Sequence, residues 1–329
     1  MKTINWGIIG CGAVCELKSG PAFQLVEGSA LVAVMRRDAA LAKDYATRHQ
    51  VPVWYNDAAQ LVNDPDVNAV YIATPPGTHA YYTRMAAMAG KPVYVEKPMA
   101  RTYAECLEMV DSCEKQGVPL FVAYYRRQLP IFQQVKTLLV QGCIGQVRSV
   151  HISLTQPAYP QDTQPDRSNW RTDPTESGGG YFHDLASHQL DLIDFLLGPI
   201  ETARGFGANL GQLYTPDDTI TAIFKGREGW IGTGTWCFTT GTTARHDEIT
   251  LVGSAGKISF PCFAFQHPLV CFQDEKPVQT WYFPTPKHIQ QPLIQTIVDE
   301  LLGRGNCPST GHSAMRTSQI MDLITGQTI

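Results

Sequence analysis

The sequence predicts an α/β chain of two parts: a doubly wound parallel sheet, then an α+β part built on a mostly antiparallel sheet. Three observations predict it. Apolar strand-like runs alternate with helix-compatible stretches up to Tyr125, the pattern of βαβ units. The first run ends in Gly10-Cys11-Gly12, a turn that parallel sheets place before a helix. Beyond Tyr125 the runs become dense in β-branched and aromatic residues, which suits strands joined to their neighbours. At 329 residues the chain suits two domains, with the boundary expected between Tyr125 and Arg126.

In order, Asn5–Ile9 reads as a strand and is followed by a helix-compatible stretch. Ala30–Met35 is a second strand, and a helix starts at Asp38. After an acid-rich turn, Asn68–Thr74 is a strand and Thr78–Ala89 a helix. KPVYVEKP is strand and loop, Tyr103–Lys115 a helix and Val118–Tyr125 strand-like. In the second part Leu129–Gln141 reads as a helix and Arg148–Gln156 alternates as a strand does. A long loop, Pro157–Glu176, precedes strands TITAIFK, GWIGTGTWCFT, HDEITLVGS, KISFP and VQTWYF. Leu293–Leu302 and Ser309–Ile324 close the chain as helices. Helices on one face of this second sheet complete the expectation.

Composition narrows the function. Net charge is −4 and no basic cluster exceeds the pairs Arg36-Arg37 and Arg126-Arg127, which disfavours a nucleic-acid partner. No apolar run reaches membrane-spanning length, and no signal-peptide pattern is read at the start. The 9 cysteines are scattered without a C-x-x-C pair, so reduced thiols in the cytoplasm are expected rather than a disulfide framework or zinc ribbon.

The glycine turn has a physical task. Gly10 permits the tight turn, and Gly12 lets a pyrophosphate approach the backbone. Ala13 and Val14 open the following helix, whose N-terminus favours the anion. Cys15 stands where the dinucleotide fingerprint has Gly or Ala, and is small enough for close packing. The first part is therefore read as a Rossmann domain. Its second strand ends in Met35-Arg36-Arg37 rather than an acid, and two guanidinium groups suit a 2′-phosphate. NADP is favoured over NAD; the alternative is that both arginines are solvated residues at a helix start. The loop TPPGTH, with Thr74, Pro75 and His79, leaves the carboxyl edge of the sheet, where ligands bind. Glu96-Lys97-Pro98 does the same after VYV. Its Lys-Pro bond is a candidate cis peptide that would hold the Lys97 ammonium over the cleft; the alternative is a surface lysine before a turn.

SGGGYFHDLASHQLDLIDFLLGP, Ser177–Pro199, gathers His183, Asp184, His188, Asp191 and Asp194. Read as a helix at about 100° per residue, Asp184, His188 and Asp191 share one stripe opposite Leu190, Ile193 and Leu197. A metal site is disfavoured, because two-histidine helical sites use i, i+4 spacing and these two histidines are five apart. A solvated, salt-bridged polar face is one alternative. Acid/base work is the favoured reading, since histidine titrates near neutral pH and a carboxylate can orient it. Tyr124, Arg126, Trp170 and Arg171 are candidate substrate contacts, with packing or solvation as the alternative for each.

In order and spacing, GCGAVC, ATPPGTH, EKPMA and GGGYFHDLASHQLD resemble the glucose–fructose oxidoreductase/inositol dehydrogenase/MocA family. The resemblance implies a Rossmann domain followed by an α/β domain whose open, mostly antiparallel sheet often mediates homo-oligomerisation. It implies an NAD(P)-dependent oxidoreductase of a sugar, cyclitol or related small polyol. Lys97 matches the family's catalytic lysine, Asp184 and His188 its D-x-x-x-H pair, and Glu96 a cofactor contact near the nicotinamide ribose. His188 would then move the hydroxyl proton, Lys97 polarise the oxygen, and Asp184 bind a second hydroxyl or orient His188. Cys15 and Ala186 depart from commoner family residues and leave the subfamily open. A glycosidase using tightly bound NAD and a non-catalytic sensor are the competing functions.

Overall fold

The computed structural model describes residues 3–164, 169–273 and 276–327. By internal contacts it divides into two compact units, Met1–Tyr125 with Pro286–Met315, and Arg126–Thr285 with Arg316–Ile329. The return of Pro286–Met315 to the N-terminal unit is absent from the sequence expectation.

The N-terminal unit is a parallel six-stranded sheet. Its strands are β1 (Ile4–Ile9), β2 (Ser29–Met35), β3 (Val53–Tyr55), β4 (Ala69–Ile72), β5 (Val93–Val95) and β6 (Leu120–Val122). They lie in the order β3-β2-β1-β4-β5-β6, all parallel. Winding reverses between β1 and β4, which creates a switch-point crevice at their carboxyl ends. The helices are α1 (Ala13–Leu17), α2 (Ala22–Leu25), α3 (Ala39–Arg48), α4 (Ala58–Asn63), α5 (His79–Met88) and α6 (Tyr103–Lys115). Thr102 caps α6 by accepting from the Glu105 N–H, as Asp38 caps α3. The stretch after the glycine turn is two short helices, broken at Gly20-Pro21, and the acid-rich turn holds α4.

The two faces of this sheet pack differently. Ile9, Ile72, Val95 and Val122 meet Ala86 and Ala87 of α5 and Cys106, Met109 and Cys113 of α6. The other face is aromatic: Trp6 packs 4.9 Å from Phe23, and Tyr71 stacks 4.8 Å from Tyr94. Residues late in the chain close the unit. Ser309 Oγ donates to the Val122 carbonyl at 2.7 Å and Tyr94 Oη donates to Gln290 at 2.8 Å.

The second unit is an eight-stranded sheet: β7 (Val147–Thr155), β8 (Ile200–Ala208), β9 (Thr219–Gly226), β10 (Ile231–Cys237), β11 (His246–Gly253), β12 (Lys257–Phe260), β13 (Leu269–Gln273) and β14 (Lys276–Trp281). Its order is β14-β13-β12-β11-β7-β10-β9-β8. Only the β7–β10 pair is parallel among the described pairings. Burial alternates strictly along β9 and β10, so one face is covered and the other is open. Ile220, Phe224, Trp236, Ile249 and Leu251 line the covered face; Ile223 and Ile231 are each 59% exposed on the other. Strands β8 and β13 escape sequence reading. ETARGFGA is rich in glycine and charge, and LVCFQ is too short to show a period.

Helices α7 (Pro130–Val140), α8 (Pro174–Ser177) and α9 (Ser187–Leu197) belong to this unit; α10 (Gln291–Leu301) belongs to the first, and α11 (Gly311–Thr325) runs from Gly311 in the first to Thr325 in the second. Gln189 of α9 accepts from Trp236 Nε1 at 2.7 Å, and Phe182 meets Trp236 edge-on at 5.2 Å. Those contacts fix the site helix on the sheet. The expected structureless loop contains turns at Pro160–Thr163 and Trp170–Thr172 as well as α8. Residues 165–168 of it lie outside the described residues.

Candidate active site

In the N-terminal unit, the turn after β1 meets the loop after β4. Gly10 has φ 89°, and a Cβ there would lie 2.7 Å from Thr74 Cγ2. Only glycine permits this approach. A Cβ on Gly12 would meet nothing nearer than the Gly10 carbonyl at 3.8 Å, so the backbone there borders open space. Ala13 is exposed and Val14 half-buried at the start of α1, while Cys15 is buried. Tyr45 Oη donates to the Cys15 carbonyl at 2.9 Å, so the small third residue does pack closely. This cradle fits the pyrophosphate of a dinucleotide. Helix α1 has only five residues, so the backbone of the turn carries more of that fit than a helix dipole.

Arg36 is half-buried and Arg37 exposed at the end of β2. The Asp38 carboxylate accepts from the Leu41 N–H at 3.0 Å, which commits it to capping α3.

His79 is fully buried. Its Nε2 lies 2.8 Å from the Thr74 carbonyl, and its Nδ1 lies 3.2 and 3.1 Å from those of Pro98 and Met99. The ring thus lies between the loops after β4 and β5; burial favours its neutral form, whose single N–H donates to one of them. Thr74 and Pro75 stay half-exposed on the first loop. The Lys97-Pro98 peptide on the second is cis, and Lys97 is half-buried. Glu96 is an internal hub: Oε1 accepts from Tyr71 Oη and Gln290 Nε2, each at 2.5 Å, and Oε2 from the Lys97 N–H at 3.2 Å. Sequence reasoning missed Gln290, which lies 194 residues from Glu96; no local pattern signals such a pairing. Tyr124 is fully buried in the sheet core.

In the second unit the site segment is not a uniform α-helix. Phe182–Ala186 forms a π-turn before α9, and the wider turn changes the phase between Asp184 and His188. The expected outward stripe is corrected on a second count, because every residue from Ser187 to Asp194 is buried. Asp191 faces protein. Arg127 clasps it with Nε–Oδ2 2.9 Å and Nη2–Oδ1 2.6 Å, both side chains about 2% exposed or less. Burial pushes the Asp191 carboxyl up to about 6, against the pull of Arg127. Arg316 clasps Asp194 with the same geometry. His183 is buried against Gly179, where a Cβ would lie 2.2 Å from Nδ1, and burial holds it down at about 4.

Asp184 and His188 have other described neighbours. Arg171 Nε donates to Asp184 Oδ2 at 2.8 Å, and its guanidinium lies 4.4 Å from the Trp170 ring centroid. The turn that presents them is braced by Asp162, which accepts from Tyr181 Oη at 2.7 Å and Asn169 Nδ2 at 3.1 Å. His188 meets Phe263 edge-on at 6.0 Å. Phe263 lies under the Arg126 guanidinium at 4.4 Å, and Arg126 Nε donates to the Cys262 carbonyl at 2.9 Å. Asp247 holds this loop through the N–H groups of Cys262, Phe263 and Ala264, the shortest 2.6 Å. Arg126 is thus a loop brace beside His188.

Residues 4–124 match the model of the GFO_IDH_MocA oxidoreductase family, NAD-binding Rossmann fold, and residues 132–259 match the GFO/IDH/MocA C-terminal domain. The chain is 39% identical to "Oxidoreductase P35" of Formosa agariphila over 323 residues, 98% of each protein. It is 30% identical to 1,5-anhydro-D-fructose reductase of Ensifer adhaerens over 222 residues, 67% of this chain and 65% of that one. A solved levoglucosan dehydrogenase, in complex with NADH and levoglucosan, shares the fold with TM-score 0.86 over 99% and 97% of the two chains at 21% identity. Matched in both halves by the family's models, the chain belongs to the GFO/IDH/MocA family and is an NAD(P)-dependent oxidoreductase.

Proposed function

We propose that this enzyme exchanges hydride between nicotinamide and a secondary alcohol or ketone of a sugar, cyclitol or related polyol. The observation that supports it most is the Gly10–Gly12 cradle beside Thr74, with Lys97 on the next loop of the same sheet edge. The bound nucleotide supplies the hydride acceptor or donor at C4. Lys97 polarises the reacting oxygen and stabilises its developing charge. His188 removes the hydroxyl proton in oxidation and returns it in reduction. Asp184, clasped by Arg171, positions a neighbouring hydroxyl. Arg171 and Trp170 offer a charged edge and an aromatic face to a polyol. The names of the Ensifer reductase and of the levoglucosan dehydrogenase point to the same substrate class.

The test is a panel of sugars, cyclitols and ketoses assayed with NADPH, NADH and their oxidised forms. Net nicotinamide turnover on a polyhydroxylated substrate is the expected result. Glycoside cleavage without net turnover would replace this reading with transient oxidation on bound NAD.

NADP is the preferred cofactor on this reading, because Arg36 and Arg37 stand at the end of β2 while Asp38 is occupied as a cap. Replacing both arginines with serine is expected to raise KM for NADPH at least about tenfold, the loss of roughly 1.4 kcal/mol. KM for NADH should move little, and equal changes for both would remove the 2′-phosphate role.

The open face of the eight-stranded sheet exposes Ile223, Ile231 and, on β8, Phe206 at 89%. Such a face suits burial against a second copy, and we assign homo-oligomerisation to it. Light scattering is expected to give a multimer for the wild type and a monomer for Ile223→Lys/Ile231→Lys; an unshifted mass would move the interface elsewhere. The nine cysteines, all free thiols, fit a reducing compartment, and the cytoplasm is the proposed location.

A further inference from the structure

Two of the free thiols face each other. Cys143 Sγ lies 2.9 Å from Cys271 Sγ across a separation of 128 residues. A disulfide bond measures about 2.05 Å, so bond formation asks the sulfurs to close by less than about 1 Å. Cys143 follows Gly142 at the end of α7; its N–H donates to the Leu138 carbonyl at 3.0 Å, and its own carbonyl accepts from Gln273 Nε2 at 2.5 Å. Cys271 lies within β13, paired with Ile258 of β12 on one side and Gln279 of β14 on the other. Their accessibility differs. Cys143 is half-buried, whereas Cys271 is 1% exposed and burial pushes its thiol up to about 12. Cys143 is thus the more accessible residue of the pair, and Cys271 behind it is held in the protonated form, so its sulfur must lose its proton as it attacks.

We propose that Cys143 and Cys271 form a reversible thiol modification site that a peroxide-class oxidant closes to a disulfide. The Cys143 sulfur attacks the peroxide O–O bond, becomes a sulfenic acid and releases one water from hydrogen peroxide. The Cys271 sulfur then attacks the Cys143 sulfur and expels the sulfenic oxygen as a second water. Two thiol protons leave in the waters, two sulfurs are each oxidised by one electron, and the peroxide is reduced. A dithiol reverses the step by exchange. The bond joins the end of α7 to β13, next to the edge strand β14. It closes a long loop in the unfolded chain, so it stabilises the fold chiefly by restricting that state.

The experiment uses the full-length chain, reduced, freed of reductant and titrated with hydrogen peroxide. The expected product has lost the mass of two hydrogens, yields a Cys143–Cys271 linked peptide and reverts with dithiothreitol. Its unfolding midpoint should rise by at least about 5 °C. Cys143→Ser and Cys271→Ser should each abolish the linked peptide and the rise. Oxidation of Cys143 to sulfinic acid with Cys271 still alkylatable after denaturation would overturn the proposal. So would a mass loss that maps to another pair. Both readouts come from the wild type, so they decide the matter even if a variant fails to fold.

Discussion

Replacing His188 with alanine is expected to lower the rate of hydride transfer by about 10²–10⁴-fold, the usual worth of a positioned acid/base group. Single-turnover mixing with saturating nucleotide is the measurement, because product release would mask the chemical step in kcat. The histidine limb of the pH–rate profile should vanish with the side chain. Nicotinamide binding, read by fluorescence titration, should hardly change. Lys97→Met is expected to cost a comparable factor through loss of charge stabilisation at the reacting oxygen, with the histidine limb preserved. That contrast separates the two roles. An unchanged transfer rate in His188→Ala would reassign the proton to Lys97 or to solvent.

Replacing Arg127 with alanine is expected to destabilise the C-terminal unit by about 3–5 kcal/mol, because it strands a buried carboxylate. Arg316→Ala provides the control. Its clasp on Asp194 has the same 2.6 and 2.9 Å contacts, but the Arg316 side chain is 36% exposed against 2% for Arg127. Water can replace the lost partner there, so a cost nearer about 1–2 kcal/mol is expected. Calorimetry should show the difference as a larger fall in the unfolding midpoint for Arg127→Ala. In that variant Asp191 should also take up a proton near neutral pH, since burial then acts on it without the opposing guanidinium. Equal losses in the two variants would show that burial does not set the worth of these pairs.

The parallel sheet was legible because its evidence is local: each strand, turn and helix is announced by residues next to one another. The glycine turn, the cis Lys97-Pro98 bond and α6 follow from such short patterns. What depended on distant partners was not legible. Helical phase put Asp191 on the same side as His188, yet nothing near it in sequence reveals that Arg127 covers that side. The π-turn also escaped a reading that assumes a constant angle per residue. The resemblance reads Glu96 as a cofactor contact, and no local pattern announces that Tyr71 and Gln290 also donate to its carboxylate. The segment Pro286–Met315 follows the second sheet in sequence and packs with the first, a choice made by tertiary contacts alone. Asp184 and His188 were singled out by motif, and the structure adds Arg171 and Phe263 as their neighbours.

His79 gives the nucleotide side of the molecule a mechanical property. One imidazole, fully buried, sits between the carbonyl of Thr74 and those of Pro98 and Met99, so the two loops pack against the same ring. A change in the packing of either loop is therefore felt by the other through a side chain that solvent never touches.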